Sequence, residues 1–160
     1  IDHANTMRLN SSGSTIDIQQ VESLEYYANK DEANIKDIST LYGNLKFSQL
    51  RIRHLNKDID LNLKISDFWI DHVVSPNSKI TIEQESSEVS INILNFAHSF
   101  SAILEEGLVR LPKSFQNVDS KIQDKGKKLR EIKATYGKGG KGHIIISGKK
   151  GVVLLKEIKE

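Results

Sequence analysis

Two stretches decide the fold class: residues 59–65 read IDLNLKI, and residues 80–93 read ITIEQESSEVSINI. Apolar side chains occupy alternate positions along most of both stretches, with polar side chains between them. Because successive side chains of a strand point to opposite faces, this spacing predicts strands with one buried and one solvated face. The residues predicted to avoid solvent are Leu61, Leu63, Ile80, Ile82, Ile91 and Ile93.

The same alternation extends toward the N-terminus, for example at Ile16 with Ile18 and at Leu45 with Phe47. Polar clusters rich in Asn, Asp and Ser separate these runs and are typical of turns. The chain has 160 residues, which is the size of one domain. We therefore expect a single all-β domain over residues 1–160.

Apolar positions also recur at nearly equal intervals along the chain, in two tracks. Stacked layers of this period predict a single-stranded β-helix, or solenoid, in which residues one period apart lie on neighbouring parallel strands. His54 and His72 are close to one period apart and would then share a face. An antiparallel β-sandwich is the alternative. The tracks are Ile16, Ile35, Ile52, Ile70, Val89 and Leu108, and Tyr26, Leu45, Leu63, Ile82 and Ala102.

Positive charge is concentrated near the C-terminus, where residues 121–150 hold ten Lys and Arg against two Asp and Glu. At about residues 117–136 we expect a basic loop or a short amphipathic helix, although a charged hairpin fits as well. Gly126 would interrupt the helix. Two further strands, 143–147 and 152–158, are predicted to end the domain as a C-terminal β-hairpin.

The polar β-repeat and its glycine-punctuated ending, GKGGKGHIIISGKKGVVLLKE, resemble the adhesin β-solenoid family of bacterial cell-envelope proteins. The resemblance implies an exported protein, located in the periplasm, at the outer membrane or on the cell surface. It also implies a non-enzymatic adhesive or structural role with an envelope, glycan or protein partner. It implies no catalytic residue. The chain begins at Ile1, so we expect any export signal to lie upstream.

Two alternative functions rest on side chains. Asp58, Asp60, Asp67 and Asp71, with Trp69 among them, form a candidate carbohydrate-binding or carbohydrate-active site, because acids and an aromatic ring suit sugar hydroxyls and the apolar face of a pyranose. The same charges also serve solubility. A polyanion-binding module is the other alternative, with ligand residues Lys125, Lys127, Lys128 and Arg130.

Other chemistry finds little support. The chain has no cysteine, and its five histidines lack the short spacings typical of a metal site. The glycine-rich run 137–142 precedes a predicted strand rather than a helix, so it does not match a phosphate-binding loop. No stretch approaches the roughly 20 apolar residues of a membrane span. We expect no cofactor, no metal, no specific nucleic acid and no membrane span.

Overall fold

The computed structural model describes residues 1–159 and consists of strands joined in one curled, open, 13-stranded sheet. The all-β prediction is confirmed, and no helix occurs in the described chain. None of its elements is therefore a long apolar helix that could cross a membrane. The strands are β1 (His3–Ser12), β2 (Thr15–Asn29), β3 (Glu32–Lys46), β4 (Gln49–Lys64), β5 (Asp67–Val73), β6 (Lys79–Glu85), β7 (Glu88–Asn92), β8 (His98–Glu105), β9 (Leu108–Arg110), β10 (Gln116–Asp124), β11 (Leu129–Tyr136), β12 (Gly142–Lys149) and β13 (Val152–Lys156).

Every pairing made by β1 to β7 is parallel. Strands β1 to β4 follow one another in the sheet, and β4 then pairs with β5 along its first half and with β6 along its second. Leu45 lies beside Leu63, as the predicted period requires. The expected parallel pairing of residues about one period apart is therefore confirmed for these strands.

The core lies on the inward face of the sheet and consists of the alternating apolar side chains. All six residues that were predicted to avoid solvent are at most 3% exposed. Ile35, Ile52 and Ile70 share one register column, as expected. Ile16 and Val89 are instead displaced by two positions, because they pair with Ala33 and Phe68. A two-residue shift preserves the inward face, so alternation alone cannot detect it.

Seven connections between strands contain a corner residue with a positive φ. These left-handed corner residues are mostly not glycine, and each donates its backbone N–H to a carbonyl of a neighbouring strand or turn, as Phe47 does to Lys64 O at 3.0 Å. The αL conformation normally costs a non-glycine residue free energy, so it persists where the surroundings impose it. The corner residues are Gly13, Lys30, Phe47, Ile65, Ser86, Glu106 and Lys150.

A ladder of buried hydroxyls follows the corners. Ser48 Oγ accepts a hydrogen bond from the backbone N–H of Asp31 at 3.0 Å and donates one to Lys46 O at 2.8 Å. Ser66 repeats this arrangement against Ser48, and Ser87 repeats it against Ser66. Each of these serines therefore satisfies a buried amide of the preceding layer, and the ladder fixes the register between layers.

At the N-terminal end of the ladder, the carboxylate of Asp31 takes the place of the serine hydroxyl. Asp31 is 3% exposed and accepts hydrogen bonds from the Ser14 backbone N–H at 2.8 Å and from the Tyr26 hydroxyl at 2.9 Å. Burial, followed by the hydrogen bond to Asp31, raises the pKa of Tyr26. Gly43 lies beside Tyr26 in the register, and a Cβ there would approach Tyr26 O to 1.8 Å. The close approach of these strands therefore requires glycine at position 43.

The last two strands do not form the predicted C-terminal hairpin. Strand β12 runs parallel between β6 and β8, and β13 runs parallel between β7 and β9. Strand β8 does not pair with β6, and β9 does not pair with β7. Strands β12 and β13, which come later in the chain, lie between them. Glycines around a short turn predict that the chain changes direction there, but they do not show which strands the two flanking strands pair with. Here Lys150 is a left-handed corner residue, so the turn continues the layers.

The basic segment forms a hairpin rather than a helix. Strands β10 and β11 pair antiparallel, and β11 continues the sheet beside β8. The spacing of Val118, Ile122, Leu129 and Ile132 suited a helical face, but the free edge of β8 offers Leu129–Tyr136 a full set of backbone partners. Sheet pairing therefore overrides the weak helical pattern.

Replacing Ser48 by Ala should cost about 1 to 3 kcal/mol of folding free energy, because the Asp31 amide is left buried without a partner. Chemical denaturation measures the change. Ser101→Ala, on the outward face of β8, is the control and should change stability by less than about 0.5 kcal/mol. Equal effects of the two substitutions would contradict a structural role for the ladder.

Replacing Ile82 by Ala should cost about 2 to 5 kcal/mol, since this side chain is buried between Leu61 and Ile146 and its loss leaves a cavity. Leu63→Ala should behave in the same way. Ile145→Ala removes the same atoms from a side chain that is 38% exposed, so it should cost far less. Urea denaturation of the three variants would reject the assigned core if Ile82→Ala cost no more than Ile145→Ala.

Candidate binding surface

The structure divides the five residues of the predicted carbohydrate site between two halves of the sheet. Asp67, Trp69 and Asp71 alternate along the outward face of β5. Asp58 and Asp60 lie on the second half of β4, which pairs with β6 and not with β5. Proximity in sequence therefore does not bring the two groups together.

Arg51 occupies the centre of the β5 group. Its Nε lies 3.2 Å from Asp71 Oδ1, and its guanidinium carbon lies 5.6 Å from the centre of the Trp69 ring. Cation–π and ion-pair contacts of this kind stabilise exposed side chains modestly. The Arg51 guanidinium therefore lies over one face of the Trp69 ring, where a sugar ring would have to displace it.

The predicted sharing of a face by His54 and His72 is confirmed, since the two residues are register partners with ring centres 5.9 Å apart. His54 Nδ1 also lies 3.2 Å from Asp37 Oδ1, although without hydrogen-bond geometry. Within residues 1–159, no group of three His, Cys or acidic residues is arranged to hold a metal ion.

A different surface emerges on the outward side of the first strands. Tyr42 on β3 is 53% exposed, and Tyr27 on β2 lies diagonally beside it, because Tyr27 pairs with Asn44 and Tyr42 pairs with Glu25. We call this surface the tyrosine–asparagine face and define it as Arg8, Asn10, Tyr27, Tyr42, Asn44 and Asn62, which come from β1 to β4.

Polar contacts hold the tyrosine–asparagine face in place. Asn62 Nδ2 donates a hydrogen bond to Asn44 Oδ1 at 2.9 Å, and the Arg8 guanidinium lies 5.7 Å from the centre of the Tyr27 ring. A hydrogen bond to the Glu25 carboxylate raises the pKa of Tyr27. The Tyr27 hydroxyl is therefore protonated at neutral pH, and the surface presents amides, hydroxyls and ring faces beside the Arg8 guanidinium.

Two shallow depressions border this face. One has a volume of about 520 Å³ and lies between Asn10, Tyr27 and Asn44. The other, about 260 Å³, is lined by Tyr42, Asp58 and Asp60 among others. Half of the predicted acid cluster thus lies beside a tyrosine that was not predicted as a site residue. The alternation in the sequence already places Tyr27 and Tyr42 on the outward face. Their proximity, however, depends on the register between β2 and β3.

The glycine-rich run 137–142 connects β11 to β12, and Gly137, Gly139 and Gly140 have positive φ angles. A strand follows it, as expected. The segment therefore lacks the helix N-terminus that a phosphate-binding loop uses.

One histidine is fully buried. His98 is 0% exposed, its Nδ1 lies 2.7 Å from Phe96 O, and aromatic rings of Phe96, Phe115 and Tyr136 surround it. Since a carbonyl only accepts, Nδ1 carries the proton, and Nε2 has no partner among the described residues. Burial lowers the pKa of His98, and His143 nearby acts in the same direction.

No protein-family model, curated protein or solved structure matches this chain. Its function is therefore argued from these surfaces and from the sequence pattern.

We expect His98 to make the fold less stable in acid. The unfolded chain takes up a proton at this side chain near its ordinary pKa of 6.5, whereas the folded chain does so only at lower pH. Stability from this group is therefore complete above that value and is lost as pH falls below it. Thermal unfolding between about pH 8 and pH 5 should show a steeper loss for the parent than for His98→Gln. Parallel pH profiles would contradict this assignment.

Proposed function

We propose that this chain is a non-catalytic binding domain of a cell-envelope or secreted protein, and that it binds an uncharged glycan through the tyrosine–asparagine face. The exposed ring of Tyr42 carries the proposal. Aromatic side chains are energetically valuable when buried, and one that is 53% exposed on a strand remains available to a ligand. The apolar face of a pyranose is a suitable partner for such a ring.

The neighbouring side chains supply the remaining contacts of a glycan site. Asn10, Asn44 and Asn62 offer both donors and acceptors, which match sugar hydroxyls. Because these side chains project from paired strands about 4.8 Å apart, the spacing of their attachment points is fixed before the ligand arrives. Binding then requires no rearrangement of the backbone, which favours affinity on a shallow surface.

The envelope or secreted location rests on the resemblance of the C-terminal pattern to the adhesin β-solenoid family. We also propose that the parallel layers wind as a single-stranded solenoid. Recurrent left-handed corners and nearly equal register steps from β1 through β5 support this winding over an antiparallel sandwich. An outward face built from successive parallel strands suits an extended ligand lying across them.

The β5 group is the weaker candidate for a carbohydrate site. Arg51 covers Trp69 and neutralises Asp71, and the two other predicted acids lie elsewhere. Ligand binding there would have to displace an existing contact. The tyrosine–asparagine face requires no such displacement at Tyr42.

Tyr42→Ala should weaken glycan binding by about 2 kcal/mol or more, roughly thirtyfold in Kd, if Tyr42 is the main contact. A glycan array identifies a ligand for the parent, and calorimetry compares the variants. Tyr42→Phe keeps the ring and should retain most of the affinity.

Phe47→Ala is the matched control, since Phe47 is 51% exposed but lies at a corner away from this face. It should bind as the parent does. The proposal is wrong if the parent retains no glycan, or if Tyr42→Ala and Phe47→Ala bind equally well.

A further inference from the structure

The β10–β11 hairpin has two faces with different electrostatics. On one face Lys121 Nζ lies 3.6 Å from Asp119 Oδ2, and Lys133 Nζ lies 3.2 Å from Glu131 Oε1. These four residues are cross-strand partners, with Lys121 opposite Glu131 and Asp119 opposite Lys133. Positive charge on this face is therefore matched by carboxylates.

The opposite face carries cations without such partners. Ile122 and Arg130 are directly opposed, so both side chains project from the same side of the hairpin. With Lys125, Lys128 and Leu129 they line a depression of about 600 Å³. None of these three basic side chains forms an ion pair with any described carboxylate. Glu106 is the one acid in the lining.

Apolar groups are exposed beside this charge. Every residue of β10 is exposed, and Ile122 is 56% exposed although it borders the basic side chains. Water is a poor environment for such an isoleucine. The boundary between lipid headgroups and acyl chains accepts both an apolar side chain and the cations around it.

We propose that this basic–apolar face, defined as Ile122, Lys125, Lys128 and Arg130, docks onto the surface of a negatively charged phospholipid bilayer. Charge complementarity supplies the attraction, because clustered Lys and Arg bind anionic headgroups. Ile122 enters the headgroup region and adds a contact that depends on apolar burial. The site is separate from the tyrosine–asparagine face and does not depend on the glycan proposal.

A bilayer fits these residues better than a soluble polyanion. An acidic polysaccharide or a nucleic acid would gain nothing from Ile122. Specific recognition of a nucleic acid also uses stacking rings or several bidentate arginines. This face has one arginine, and Tyr136 lies at the other end of β11, where its hydroxyl donates a hydrogen bond to Glu157 at 3.0 Å.

The turn between the strands holds the lysines in position. Asp124 Oδ1 accepts backbone hydrogen bonds from Gly126 at 2.9 Å and from Lys127 at 3.2 Å. Lys128 has a positive φ, and its carbonyl accepts a hydrogen bond from the Glu106 backbone N–H at 3.0 Å. The cations therefore project from a fixed turn of the sheet.

Co-sedimentation of the full chain with vesicles tests the proposal. The parent should bind vesicles of phosphatidylglycerol and phosphatidylcholine and should not bind pure phosphatidylcholine. The double variant Lys125→Gln with Lys128→Gln should lose at least about tenfold in apparent affinity. Lys121→Gln with Lys133→Gln removes the same charge from the ion-paired face and should lose less than about twofold.

Ile122→Ser separates a bilayer from a polyanion. It should weaken vesicle binding several-fold while leaving retention on a heparin column unchanged. The proposal is overturned if the parent ignores anionic vesicles, binds neutral ones equally well, or loses the same affinity in both double variants. Unchanged vesicle binding by Ile122→Ser would also overturn it and would leave a polyanion contact. Thermal unfolding of each variant verifies that these exposed substitutions preserve the fold.

Discussion

The left-handed corner with its hydroxyl ladder is the constraint on which the rest of this sheet depends. A parallel strand pair has no tight turn to set its register, and alternating side chains tolerate a shift of two residues without exposing the core. The corner removes that freedom. Each corner amide bonds to one particular carbonyl of the next layer, and Ser48, Ser66 and Ser87 add a second bond at the same place. A shifted register would leave several buried polar groups unpaired, at a cost of about 1 to 3 kcal/mol for each group.

Register in turn determines the outward surface. Tyr27 and Tyr42 come from successive strands, and they become diagonal neighbours because Tyr27 pairs with Asn44 while Tyr42 pairs with Glu25. A register shifted by two residues would place Tyr42 beside Ser23 or directly beside Tyr27, depending on the direction of the shift, and would change the diagonal arrangement of the two rings in either case. The buried corner therefore positions the candidate glycan site, although it shares no side chain with it. The same logic applies inside the sheet, where Gly43 has to lie beside Tyr26.

Sequence reasoning predicted most features that depend on the alternation of inward and outward side chains, and it missed those that depend on strand pairing. Phe47, Ile65 and Leu108 are exceptions to the alternation, because they lie at or just after corners and are 46–51% exposed. Alternation identified the strands and the burial of Leu61, Ile82 and Ile91, because parity is local. The nearly equal intervals between apolar positions placed Ile16 and Val89 two residues away from the register column that they were predicted to share. The reason is that the number of residues between paired positions differs from one strand pair to the next. Sequence reasoning also grouped Asp58 with Asp67 by proximity in the chain, whereas β4 divides its pairing between two partners and separates them. The sequence does not single out a hairpin at residues 116–136 over a helix or a loop, because the open edge of β8 cannot be seen in it.

The strand order links the two proposed surfaces physically. The basic hairpin joins the sheet through β8, and β8 reaches β6 only through β12. Strand β12 comes from the end of the chain. Without residues 142–149 between them, β6 and β8 would be separated by about 9.6 Å, which is two strand spacings. The corner hydrogen bonds also depend on β12, because the Ser86 N–H donates to Lys149 O and the Lys150 N–H donates to Glu105 O. Five strand spacings, about 24 Å measured along the curled sheet, separate Tyr42 on β3 from the hairpin strand β11. A hairpin resting on a bilayer would therefore leave the tyrosine–asparagine face clear of the lipid, provided that β12 is in place to hold the two ends of the sheet together.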